Sequence, residues 1–111
     1  MTVVFLDRDG VINENRPDHV KSWDEFRFLP GALDAVARLT DSQVQVFVIT
    51  NQAVITRRLV PVGVLEDVQR RMLRAIEAHG GRVTAVHAST GGAEFVIELP
   101  VTVHFVARYG R

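Results

Sequence analysis

The chain has 111 residues, enough for one domain with a single core that needs neither disulfides nor a structural metal. Thirteen Lys and Arg balance thirteen Asp and Glu, so no overall field recommends nucleic acid or an anionic membrane as a partner, and any anion binding must be local. There is no cysteine, which excludes a disulfide framework, a thiolate zinc site and a cysteine nucleophile.

Thr2 to Leu6 (TVVFL) is β-branched and aromatic without alternation, the pattern of a short strand buried on both faces as in a parallel sheet. The stretch is too short and lacks the basic flank of a signal peptide, and no run of about eighteen apolar residues follows. No membrane span is expected, and the cytoplasm is the default location.

Pro30-Gly31 punctuates the chain before Ala32 to Leu39, where Leu33, Val36, Ala37 and Leu39 form a helical stripe. Val44 to Ile49 (VQVFVI) reads as a second buried strand. Strand, helix and strand in that order imply a right-handed parallel crossover, which brings both strand ends to one edge of the sheet. Asp7 and Thr50 are therefore expected as neighbours.

From Val64 to His79, Leu65, Val68, Met72, Leu73 and Ile76 share a helical face that Gly80-Gly81 terminates. Arg70, Arg71 and Arg74 share this helix with Glu66, Asp67 and Glu77, which predicts a solvated, ion-paired surface. Arg82 to His87 and Glu94 to Leu99 read as further strands, and the short run Ser89 to Gly92 between them favours an antiparallel hairpin. Pro100 leaves Val101 to Val106 as an edge strand or an attached tail. The expected fold class is α/β, a small three-layer domain spanning residues 1–111, with a short parallel sheet flanked by helices.

The chemistry concentrates in Phe5-Leu6-Asp7-Arg8-Asp9-Gly10-Val11-Ile12-Asn13. Two carboxylates one residue apart at the mouth of a buried strand repel unless a cation shares the site. Magnesium suits such a place because it takes one or two carboxylates, carbonyls, water and phosphate oxygens. His19, His79, His87 and His104 have no metal-ligand spacing and are assigned to surface or packing roles. Trp23 and Phe26 are expected to pack in the loop over the site.

This stretch resembles the first motif of the haloacid-dehalogenase-type hydrolases, aspartate-x-aspartate at the end of the first strand. The resemblance implies a Rossmann-like fold, Asp7 as the nucleophile that forms an aspartyl-phosphate, and Asp9 as acid and then base. It also implies Mg2+ held by Asp7 and Asp9. Val48-Ile49-Thr50-Asn51-Gln52 resembles the second motif, with Thr50 as phosphate ligand. Phe28-Leu29-Pro30-Gly31-Ala32, Thr50-Asn51-Gln52-Ala53-Val54-Ile55 and Arg57 are similar to the wording of the bacterial heptose-bisphosphate and histidinol-phosphate phosphatases. By that likeness Asn13, Asn51 and Arg57 border the substrate. Arg58 departs from it, standing where that subfamily has glycine.

The likeness runs from Thr2 to about Val86. Beyond it, the superfamily's third motif supplies a lysine or arginine, yet the single lysine is Lys21, so the stand-ins are Arg82 and Arg108. The fourth motif supplies acidic metal ligands, but no aspartate follows Asp67, and Glu94 and Glu98 are the acids that remain. The subfamily's zinc loop has no counterpart. Ala78 to Val83 and Gly91 to Pro100 instead resemble the closing hairpin of a sensor-kinase ATP-binding domain.

Two readings stay open. One is a magnesium-dependent phosphomonoesterase acting on a small sugar phosphate or bisphosphate, or a histidinol-phosphate-like substrate. The other is a catalytically silent domain that binds a phosphorylated ligand or a protein partner. Self-association through an unpaired sheet edge is compatible with either.

Overall fold

The computed structural model describes residues 2–51, 61–88 and 102–106. Strand β1 (Thr2–Asp7) leads through a loop and a single 3-10 turn (Trp23–Glu25) to helix α1 (Ala32–Asp41) and strand β2 (Gln45–Asn51). Helix α2 (Val62–Ala78) and strands β3 (Thr84–Ala88) and β4 (Thr102–Val106) follow. The four strands form one sheet in the order β3-β2-β1-β4. Every neighbouring pair is parallel.

The expected elements that fall on described residues are present with small shifts at their ends. The segment expected as an edge strand is β4, paired along β1 from Thr2↔Thr102 to Leu6↔Val106. The second arm of the expected hairpin, Glu94 to Leu99, lies outside the described residues. No described helix is long and apolar enough to cross a membrane.

Because side chains alternate along a strand, β1 and β2 sort their residues between two faces. Val4, Leu6, Val46 and Val48 join Val36 of α1 and Val68, Met72 and Ile76 of α2 in one buried cluster. Val3 and Phe5 face the other way, where Phe5 stacks on Phe47 with ring centroids 5.2 Å apart. Among the described residues, the three-layer arrangement is represented by the sheet and one helical layer. Each side chain in that cluster contributes about 1.5–3 kcal/mol by leaving water, so the sheet edge that carries the site rests on a rigid base.

The end of α2 shows why two glycines stand there. Gly80 takes a left-handed φ of 94°, and its N–H donates to Glu77 while that of Gly81 donates to Ile76, which closes the last turn. A Cβ on Gly81 would sit 2.9 Å from side-chain carbons of both Ile76 and Val36. This close approach lets α2 pack on α1. The next peptide is tied down as well, because the Arg82 N–H donates to Thr40 Oγ1 at 2.9 Å.

Candidate active site

With all the described strands parallel, their carboxyl ends open on one edge of the sheet. Asp7 closes β1 opposite Ile49 of β2, and the Arg8 N–H continues the ladder by donating to the Ile49 carbonyl at 3.0 Å. Thr50 is the next residue of β2 and is paired with His87 of β3. The neighbourhood of Asp7 and Thr50 expected from strand order is thus realised through register.

The loop after β1 is a closed turn. The Arg8 carbonyl accepts from the N–H groups of Val11, Ile12 and Asn13, and Gly10 N–H donates to the Asn13 carbonyl at 2.8 Å. Gly10 has φ 88°, a left-handed conformation that a Cβ disfavours. Leu29 N–H donates to Ile12 and Glu14 N–H to Arg27, so the chain's return from the loop is fastened to it. Trp23 and Phe26 pack there as expected, stacked at 5.1 Å, and Phe28 joins them edge-on to Phe26.

The two aspartates have different surroundings. Burial, and after it the neighbouring Asp9 carboxylate, push the Asp7 carboxyl above its ordinary range, while the Arg8 N–H and guanidinium pull it down. Asp9 is held by one oxygen: its Oδ1 accepts from Arg8 Nε at 3.3 Å, Arg8 Nη2 at 3.1 Å and Asn13 Nδ2 at 2.9 Å.

Asn13 does not border an open cleft. It is 0% exposed, and its amide nitrogen is shared between Asp9 and the Glu14 carbonyl, while its Oδ1 has no partner. Expected at the substrate's border, the asparagine is placed beneath the turn, where the three N–H groups converging on Arg8 fold the residue inward. Thr50 is 8% exposed, and its Oγ1 lies 3.3 Å from Gln69 Nε2 of α2. Asn51 ends β2 at the same edge, paired with Ala88. Arg57 lies outside the described residues.

Arg82, a candidate stand-in for the missing cation, does not reach this edge. It is exposed and precedes the start of β3, at the opposite end of the parallel strands. A five-residue strand spans about 17 Å, beyond the reach of an arginine side chain. Arg108 lies outside the described residues, as do Glu94 and Glu98.

Two polar residues that the sequence reading assigned no role are structural parts of the site. Arg8 is 5% exposed, with its guanidinium 5.7 Å from the centroid of the Phe26 ring. Its signal was the alternation Val4, Leu6, Arg8, which carries a charge into the core-facing series. Gln69 is 6% exposed and stands at helical spacing between Leu65 and Met72, a polar interruption of the apolar stripe.

No family model matches the chain. It is 39% identical over 94 residues to the heptose-1,7-bisphosphate 7-phosphatase of Bordetella bronchiseptica, covering 85% of this chain and 52% of that protein. It is 42% identical over 86 residues to the corresponding protein of Neisseria meningitidis serogroup A, covering 78% and 46%. The crystal structure of the B. bronchiseptica phosphatase with magnesium and phosphate superimposes with a TM-score of 0.76, over 84% of this chain and 51% of that one. A HAD-like protein from Mesorhizobium loti superimposes with a TM-score of 0.68 at 28% identity, over 85% and 46%. The chain is haloacid-dehalogenase-like in sequence and fold.

This haloacid-dehalogenase-like chain spans about half the length of the curated relatives it matches, 52% and 46% for the two named. Among the described residues, no group of three His, Cys, Asp or Glu gathers to hold a metal. Two acidic residues, Asp7 and Asp9, stand at the sheet edge, and their oxygen chemistry would suit a magnesium ion that keeps waters and takes its remaining oxygens from phosphate.

Proposed function

We propose that this chain supplies the nucleophile half of a magnesium-dependent phosphomonoesterase acting on a small sugar phosphate or bisphosphate. The observation that carries the reading is the shared sheet edge, where Asp7 is in register with Ile49 and Thr50 follows directly. The relatives named as heptose-bisphosphate phosphatases support the substrate class.

In this reading an Asp7 carboxylate oxygen attacks phosphorus, and the bond from phosphorus to the sugar oxygen breaks as Asp9 hands that oxygen its proton. The Asp9 carboxylate then takes a proton from water, whose oxygen attacks the aspartyl-phosphate. Inorganic phosphate leaves, Asp7 is free again and Asp9 is reprotonated. Thr50 and the N–H groups at the end of β2 hold phosphate oxygens, and Asn51 and Arg57 are the substrate-side candidates. The Asp7 carboxylate and the Asp9 residue would hold Mg2+, which when bound would offset the negative charge that the phosphate brings to Asp7.

The test is magnesium-dependent phosphate release from a panel of sugar phosphates, comparing the native chain with Asp7→Asn. Turnover that the substitution lowers by at least a thousandfold supports the reading. Equal release from both preparations sinks it. No release from either supports a silent, ligand-binding domain or a half-site that awaits a partner.

A further inference from the structure

A general acid with two equivalent oxygens has two places to keep its proton, and only one can face the leaving group. At Asp9 the oxygens are not equivalent. Oδ1 accepts from three N–H donors, two on Arg8 and one on Asn13, at 2.9–3.3 Å. No hydrogen bond from the described residues reaches Oδ2. A guanidinium and an amide nitrogen can only donate, so a proton on Oδ1 would meet donors on every side, and the proton of the neutral acid belongs on Oδ2.

The donors are themselves fixed. The Arg8 guanidinium lies against the Phe26 ring, which Trp23 and Phe28 hold from two sides. Its 5% exposure keeps it from meeting a substrate phosphate itself. Asn13 is anchored through the Glu14 carbonyl and the closed turn on Arg8. The aromatic cluster, the buried cation and the amide therefore form one support that ends at a single carboxylate oxygen.

We infer that Arg8 and Asn13 are positioning residues that clamp Asp9 by Oδ1 and so direct its transferable proton to Oδ2. The inference rests on Asp9 acting as the acid/base of the proposed reaction. It assigns the residue between the two aspartates to proton delivery and away from phosphate binding.

A leaving group that needs a proton reads this role, and one that does not ignores it. The experiment compares kcat/KM for an alkyl sugar phosphate with that for 2,4-dinitrophenyl phosphate, in the native chain, Arg8→Met and Asn13→Ala, with far-ultraviolet circular dichroism as the folding check. Arg8→Met keeps the packed stem. Asn13→Ala removes the shortest of the three contacts and leaves the aromatic cluster alone. The expected result is a loss at least tenfold greater for the sugar phosphate than for the dinitrophenyl ester in whichever variants fold, within the range of general acid catalysis. Asp9→Asn calibrates the signature, since it removes the acid itself.

Equal losses on both substrates would overturn the inference and reduce Arg8 and Asn13 to structural parts. If both variants fail to fold, Arg8→Lys decides, with an unchanged substrate ratio and no shift in the pH profile as the overturning result. Failure of the underlying reading looks different: the native chain is inactive, Asp7→Asn is as active as native, or Asp9→Asn depresses both substrates alike. Each of these removes the inference together with its basis.

Discussion

Two clusters of arginine and aspartate lie within twenty residues of each other, and burial separates their roles. In the loop after β1, the Arg8 and Asp9 side chains are 7% and 25% exposed, and the cation is covered by Phe26. In the segment before α1, Arg16, Asp18, Lys21 and Glu25 form four ion pairs on the surface. Water screens the second group and competes for each of its partners, so those pairs order a loop with little net stabilisation. A guanidinium taken out of water must be matched by its neighbours, so every one of its contacts matters.

The largest expected effect breaks the buried pair. Arg8→Ala leaves Asp9 without its cation and opens space beneath Phe26, and should cost about 3 kcal/mol in urea unfolding. A loss no larger than that of Arg16→Ala would erase the distinction between the clusters. Next comes Gly10→Ala, which forces a Cβ into a left-handed backbone at φ 88° and should cost about 1–2 kcal/mol in the same assay.

Asp7→Asn should act in the opposite direction. A carboxyl whose folded pKa is raised binds its proton more tightly in the native state than in the unfolded one. Stability should therefore rise as pH falls through that folded value, and the ionised group is a burden at neutral pH. In magnesium-free buffer the asparagine variant should melt at a higher temperature than native at pH 7, with the gap closing in acid. A lower melting temperature for the variant at pH 7 would show that the site holds its charge without strain.

The smallest effect belongs to the surface cluster. Lys21 and then Arg16 hold the Asp18 carboxyl down to about 2. A depressed folded pKa contributes stability above the unfolded value of about 4 that is lost as pH falls toward 2. Asp18→Asn should lower the melting temperature at pH 7 only slightly, because solvent screens the pair, with the gap to native closing as pH falls between those values, which a melting series across pH would reveal.

Much of this fold was legible because its signals are local. Apolar, β-branched runs such as TVVFL and VQVFVI need both faces covered, the stripe of Val68, Met72 and Ile76 needs one, and glycine pairs end helices wherever they stand. The strand-end positions of Asp7 and Thr50 were legible for the same reason, since each directly follows such a run. The burial of Asn13 was not legible, because burial of a loop residue depends on where the turn closes. Arg82 was a plausible stand-in until strand direction set it at the far end of β3.

The sequence by itself determined which segments become strands and helices, and which carboxylates sit at strand ends, because periodicity and strand-end chemistry are properties of neighbours along the chain. Only the tertiary structure decided that β4 lies beside β1, that Gln69 meets Thr50, and that Arg8 and Asn13 grip one oxygen of Asp9. Those facts depend on register and on which polar groups are shut away from water together, and burial of that kind is settled only when distant segments pack.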